Sequence, residues 1–310
     1  GRCARGGAGR GEGPGGIHQA VRAVKVRELP RALHAAWRLH RTPLDQLGRD
    51  AARVDRPLVV SFTSIPSRLF VVPTVVRSLL AQTVRPETII LWLESSLESR
   101  LPPRLTGLTG QRFQIRFRPG SDPHRKLVCA LTAYPEHTVV TCDDDHILPR
   151  DWLERMWEAH RAHPHAVVAH ECRRIRTDAA GEPLPYRDWP LEAPGCGHPD
   201  TLAIGYGGVL YPPGALHPGV LDTRAYRELA PTADDLWFKA MAVLRGTPVR
   251  RTARPRPKPL PIPGVHRRSL GRGNVAGGRN VEQWSRLRRR YRLHSLTGPE
   301  DGPRGRRGAG

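Results

Sequence analysis

An α/β fold built on a mainly parallel sheet is what this sequence predicts, on three observations. Short runs rich in β-branched and aromatic residues recur at 57–63, 88–93 and 138–141, too short to carry a helical stripe. Between the first two lies a segment with Val72, Val75, Val76, Leu79 and Leu80 at helical spacing, so the order is strand, helix, strand, a crossover that is right-handed and parallel. The third run ends in three consecutive aspartates, Asp143, Asp144 and Asp145, at the carboxyl end of a strand, where open α/β sheets bind ligands.

The chain of 310 residues can bury a full core, as one large domain or two small ones. Hydrophobic residues make up 38% and mean hydropathy is -0.48, which fits a soluble body with polar ends. No run of 18 apolar residues occurs, so no membrane-spanning helix is expected. The start lacks both the apolar segment of a signal peptide and an initiating Met, and reads as a fragment or trimmed reading frame. The formal charge of +21 is unevenly spread. Residues 1–56 hold 12 basic against 5 acidic side chains and residues 245–310 hold 18 against 3, leaving a nearly neutral 20 against 21 for residues 57–244. The Arg-rich ends suit anionic lipid, nucleic acid or a polyanionic substrate, or reflect a coding sequence rich in G and C; the last is favoured for most of them. Cys3, Cys129, Cys142, Cys172 and Cys196 form no CxxC pair and no zinc-spaced cluster, so a reduced, cytoplasmic setting is expected.

Taken in order, residues 1–20 contain eight glycines and cannot form a core, so 1–25 is expected to be a disordered basic tail. Residues 26–56 form a helical lead-in, with Val26, Leu29, Leu33, Ala36, Trp37 and Leu39 in a weak helical pattern. The main domain spans 57–290. Its first strand leaves at Ser64-Ile65-Pro66-Ser67-Arg68, a helix covers about 70–82, and a strand at 88–93 follows. Alternation at 112–118 predicts a further strand. A helix from residue 123 or 124 to about 134 then carries Lys126, Leu127, Ala130 and Leu131 into the acidic strand. After Pro149 a capped amphipathic helix covers 151–160, and 166–169 is a strand. Residues 176–200, polar and rich in Pro and Gly, read as a long loop of the kind that forms lids or binding segments. Beyond Gly246 the prolines allow only an extended arm, then a basic helix at 281–292, and 291–310 completes a basic disordered tail.

Three stretches carry chemistry. Adjacent aspartates repel unless water or a cation compensates them, and their hard oxygens suit Mg2+ or Mn2+; the bland alternative is an acidic surface turn. Residues 204–214, Ile-Gly-Tyr-Gly-Gly-Val-Leu-Tyr-Pro-Pro-Gly, allow backbone to approach a bound group, with Tyr206 and Tyr211 as stacking or hydroxyl partners and Gly207 and Gly208 between them. The spacing matches no dinucleotide or phosphate-loop fingerprint. Residues 231–244 predict a helix capped by Thr232 or Asp234, with Asp234 and Asp235 at its positive end. There a carboxylate can act as a general base, or merely cap. His160, His163 and His165 read as a solvated helix end and turn rather than a metal site.

These stretches together, with Ser64 and Arg68 after the first strand and Lys126 ahead of TCDDDHILP, resemble bacterial glycosyltransferase-like proteins of the GT-A type, close to family 2, from polysaccharide and surface-glycan biosynthesis. GYGGVLYPPGALH and PTADDLWFKAM are the most specific motifs, and the likeness covers roughly residues 57–290. The resemblance implies a GT-A-like α/β/α sandwich with a mixed, mainly parallel sheet. It also implies a divalent-metal-dependent, inverting transfer of sugar from a nucleotide-sugar donor to a glycan, lipid-linked or other hydroxyl acceptor. By position it assigns Asp143 and Asp145 to Mn2+ or Mg2+, and Ser64, Arg68, Lys126 and Asp144 to the donor. Asp235 or Asp234 would be the base, and Tyr206, Gly207, Gly208 and Tyr211 would line the acceptor or sugar pocket. His217 and His266 fall where a late ligand would lie. Near the C-terminus Asn274 and Asn280 are kept, but Val281 stands where an acidic residue is expected. Peripheral contact of the basic ends with anionic membrane is compatible with this, and specific nucleic-acid binding is not expected. The rivals are a metal-dependent phosphohydrolase or nucleotidyltransferase, a non-enzymatic basic nucleic-acid-binding protein, and an inactive domain of the same fold.

Overall fold

The computed structural model describes residues 28–254, 258–262, 265 and 278–293. The tail expected at 1–25, the end of the tail beyond 293, His266 and Asn274 lie outside the described residues. At the centre is a seven-stranded sheet of β1 (Leu58–Thr63), β2 (Thr88–Glu94), β3 (Phe113–Arg118), β4 (Thr138–Thr141), β5 (Val167–Ala169), β6 (Val209–Tyr211) and β7 (Val249–Arg251), in the order β7-β5-β6-β4-β1-β2-β3. Neighbours are parallel except at β6, which runs antiparallel to both β4 and β5. The strand β6 comes from the glycine-rich stretch expected to be a ligand wall. Three residues are too few to announce a strand, and only their pairing between β4 and β5 makes them one.

The longer helices are α1 (Leu29–Arg41), α2 (Val72–Leu80), α3 (Arg125–Ala133), α4 (Trp152–Ala162), α5 (Asp234–Arg245) and α6 (Arg279–Tyr291). Strand alternation distributes them over two faces. Leu58, Val60 and Phe62 of β1 and Ile89, Leu91 and Leu93 of β2 pack with α2 and with Trp152, Leu153 and Met156 of α4. Val59, Ile90, Trp92 and Val139 point the other way, onto Leu127 and Ala130 of α3, Leu236 and Phe238 of α5, and Trp284 and Leu287 of α6. Covering both faces is why these strands read as unbroken apolar runs, each buried aliphatic or aromatic side chain contributing about 2 kcal/mol. The result is the expected α/β/α sandwich with a mixed, mainly parallel sheet.

Several local expectations change. Helix α5 starts after Ala233 with no side-chain cap and stops at Gly246, whose φ of 78° continues no right-handed helix. Thr232 does not cap it; its N–H donates to Gln283 Oε1 at 3.0 Å, tying α6 to the head of α5. His160 is buried on α4 against Trp157 rather than solvated. The loop at 176–200 is pinned rather than open. Trp189 and Glu192 are buried, and Glu192 Oε2 accepts from Thr201 Oγ1 at 2.6 Å and lies 2.9 Å from His198 Nδ1. Among the described residues no helix is long and apolar enough to cross a membrane, and Cys129, Cys142 and Cys172 are free thiols.

Candidate functional site

Because β1 and β4 are parallel neighbours, the segments leaving their carboxyl ends emerge side by side: Ser64 through Arg68 from β1, and Asp143, Asp144 and Asp145 from β4. Ser64 Oγ donates to Asp144 Oδ2 at 2.5 Å, and Arg68 Nη1 lies 2.6 Å from Asp144 Oδ1 and 3.5 Å from Asp145 Oδ2. Asp144 is buried. Burial pushes its carboxyl above the ordinary aspartate value, while Arg68 and the Ser64 hydroxyl pull it back. Asp145 Oδ1 sits 2.5 Å from His146 Nδ1.

Helix α3 brings a second cation to the same place. Ser61 Oγ on β1 donates to the Lys126 carbonyl and accepts from Trp92 Nε1 at 3.0 Å, which fixes the first turn of α3 over the sheet. Lys126 Nζ then lies 2.8 Å from Asp143 Oδ1 and 3.0 Å from Asp234 Oδ2. Burial alone would lower its ammonium pKa, but Asp143, Asp234 and Asp235 overcome that and hold it well above the usual lysine value. Asp235 aims both oxygens at the Gly205 N–H, 3.1 Å each. Burial, then the adjacent Asp234 carboxylate, push Asp235 up to about 8. Burial acts the same way on Asp234, but the Lys126 ion pair prevails and lowers it. One carboxylate of the pair is therefore held charged and the other sits close to neutrality.

The glycine-rich stretch splits by role. Tyr206 reaches the site, its ring centroid 6.1 Å from that of His146. Gly207 and Gly208 face inward instead: Trp152 Nε1 donates to the Gly207 carbonyl at 2.8 Å, and a Cβ on Gly208 would stand 2.4 Å from the Trp152 ring. Tyr211 is buried edge-on to Phe238, so it is core and not a stacking surface. Gly205, which sequence reasoning did not single out, is the glycine the site needs, since a Cβ there would stand 2.8 Å from Asp235 Oδ1 and 3.0 Å from Lys126 Nζ. His146 and His124 were also missed. His124 is buried, stacked on Tyr226 at 4.1 Å, with Nδ1 3.9 Å from Asp122 Oδ1, and burial lowers it to about 4, so it stays neutral. Adjacency to the aspartates was the available signal for His146; nothing in the sequence marked His124. His217 instead accepts from the Gly219 N–H in a local turn, at 3.1 Å.

Among the described residues no three His, Cys, Asp or Glu side chains come together as a metal cage. The donor set still suits a hard divalent ion that arrives with a diphosphate, because Mg2+-type ions commonly take one or two carboxylates and fill the rest from phosphate and water. Asp143, its side chain 34% exposed, is the most open of the three. Chemically the arrangement offers an anionic edge for a cation, two fixed positive groups for phosphate, and one carboxyl that titrates near neutral pH.

Residues 71–213 match the profile of the family described as glycosyl transferase family 2. That match includes Lys126, the three aspartates and all but the last residue of the glycine-rich stretch, and excludes Ser64, Arg68, Asp234 and Asp235. No curated protein matches the chain. Among solved structures, 4-diphosphocytidyl-2C-methyl-D-erythritol synthase is similar with a TM-score of 0.43 at 12% identity, over 68% of this chain and 95% of that one. CMP:2-keto-3-deoxy-manno-octonic acid synthetase complexed with CTP gives 0.36 at 12% identity, over 63% and 88%.

Proposed function

We propose that this chain is a glycosyltransferase that moves a sugar from a nucleotide-sugar donor to a hydroxyl acceptor, with inversion and with the help of a divalent ion. One observation supports it above others. Four segments far apart in sequence deliver Arg68, Lys126, the three aspartates and the Asp234–Asp235 pair to one sheet edge, where ion pairs join them. The family profile over residues 71–213 supports sugar transfer as the class of chemistry.

In this reading Arg68 and Lys126 receive the donor diphosphate and spread the charge that develops on it as it leaves. Asp144, locked by Ser64 and Arg68, orients the ribose or sugar. Asp143 and Asp145 would hold Mn2+ or Mg2+, which when bound supplies further positive charge to the departing nucleoside diphosphate. Asp235 accepts the proton of the acceptor hydroxyl while its oxygen bonds to the anomeric carbon and the bond to the diphosphate oxygen breaks. With its carboxyl at about 8, only the ionised fraction works at neutral pH, so transfer should rise with pH and level off above about 8. Tyr206 faces the acceptor side.

The test is incubation with a panel of nucleotide-sugars and acceptors, with and without Mn2+, following product anomer and nucleotide. The expected result is intact nucleoside diphosphate and an inverted glycoside. Release of pyrophosphate or nucleoside monophosphate would move the reading to nucleotidyl transfer or phosphohydrolysis, and undiminished turnover by the Asp143→Asn, Asp145→Asn double variant would refute the assigned donor edge.

A further inference from the structure

Six large apolar side chains stand exposed among the described residues, and four of them, Leu33, Trp37, Leu44 and Phe70, belong to α1 and its surroundings. Leu33 and Trp37 lie one turn apart on α1, each 56% exposed; Leu44 follows in the next turn of chain. Phe70, 63% exposed, precedes α2, the helix that α1 packs against. The strip is not a core face left unused, because α1 is already seated by its opposite side. Ala32 is buried, Ala35, Ala36 and Leu39 rest on the core, and Arg77 Nη1 donates to the carbonyls of Leu39 and Thr42 at 2.8 and 2.9 Å. Alongside the apolar strip the solvent side carries Arg31, His34, Arg38 and Arg41, the last with its guanidinium 5.4 Å from the Trp37 ring centroid, and no acidic residue occurs anywhere in the helix.

We propose that this face of α1 docks on an anionic lipid bilayer surface. A helix seated on a protein body, with Leu and Trp outward and arginines flanking them, matches the boundary between headgroups and acyl chains: the indole and leucine enter the apolar side while the guanidinium groups meet lipid phosphates. Charge complementarity selects anionic lipid over a neutral surface, since each arginine near such a surface adds about fivefold to partitioning. Helix α1 also packs against the short strand His146–Ile147, directly after Asp145, so docking would bring the site edge close to the headgroups. The proposal stands independently of sugar transfer.

The chain has seven tryptophans, and all but Trp37 are buried. Quenching of intrinsic fluorescence by lipids brominated on the acyl chain therefore reports on Trp37. The experiment uses the full chain with phosphatidylcholine vesicles, with and without phosphatidylserine, by quenching and co-sedimentation. Expected is binding only to the serine-containing vesicles, with Trp37 quenched and binding weakened by salt. The Arg31→Ala, Arg38→Ala double variant should lower partitioning about 25-fold, and Leu33→Ser with Trp37→Ser at least about tenfold. Equal binding to neutral vesicles, binding unchanged in the Leu33→Ser, Trp37→Ser variant, or a Trp37 already shielded from aqueous acrylamide in the vesicle-free protein would each overturn it. The last result would mean that another part of the chain or a second copy covers the strip.

Discussion

Replacing Asp235 with Asn should make the protein more stable and less active, with a gap in stability that grows with pH. The carboxyl is pushed from the ordinary 3.8 to about 8 by burial and by Asp234. Its folded value thus lies above its unfolded one, so its stabilisation is complete below about 4 and is lost as pH rises through about 8. At about 1.4 kcal/mol per pKa unit, the cost of carrying the charge above pH 8 is bounded at roughly 6 kcal/mol. Lys126 already opposes the shift within that value; relaxation and water entry around a buried charge reduce the realised cost, so a gain of about 1–3 kcal/mol is expected for the variant, or roughly 3–8 °C in Tm for a domain of this size. Asn keeps an oxygen for the Gly205 N–H, so the packing survives the change. Calorimetry of both proteins between pH 5.5 and 9 should show the variant's advantage widening up to about pH 8 and then levelling. Transfer by the variant should fall by about 10²–10⁴-fold. A Tm difference that is flat or narrows with pH would refute the account of Asp235.

Lys126→Met removes the ammonium shared by Asp143 and Asp234 and leaves an uncompensated carboxylate beside Asp235. Urea unfolding should show a loss of about 3–5 kcal/mol with the m-value unchanged, and a loss below about 1 kcal/mol would mean that water already screens the pair. Gly208→Ala places a Cβ 2.4 Å from the Trp152 ring at a φ of 97°, whereas at Gly214, with φ 67°, a Cβ meets nothing within 4 Å. The first should cost upwards of about 2 kcal/mol and the second about 1 kcal/mol, from backbone conformation alone; parallel thermal melts of the two variants read the difference.

The central strands were legible because both of their faces are buried, which leaves β-branched runs such as Val59 and Val60 or Ile89 and Ile90 with no polar interruption. The acidic edge was legible because three aspartates directly after such a run have few uses in a packed body. Strand β6 was not, since Val209, Leu210 and Tyr211 take their strand character from the partners on either side. The same cause misassigned Gly207, Gly208 and Tyr211: a glycine needed for an indole and one needed for a ligand look alike in sequence. The lead-in helix was legible, but not its orientation. Leu33 and Trp37, read as part of its apolar pattern, face solvent while Ala32, Ala35, Ala36 and Leu39 do the packing.

By itself the sequence determined an α/β fold on a mainly parallel sheet, with an acidic strand end and an acidic helix start as its two chemical landmarks, because strand and helix periods and runs of like charge are local properties. Only the tertiary structure decided that Lys126 joins those landmarks, that Gly205 rather than Gly208 leaves room for them, and that Asp234 and Asp235 titrate apart. These are matters of distance and burial between segments remote in the chain. Coulomb and desolvation energies depend on that separation and depth, which no local pattern of residues records.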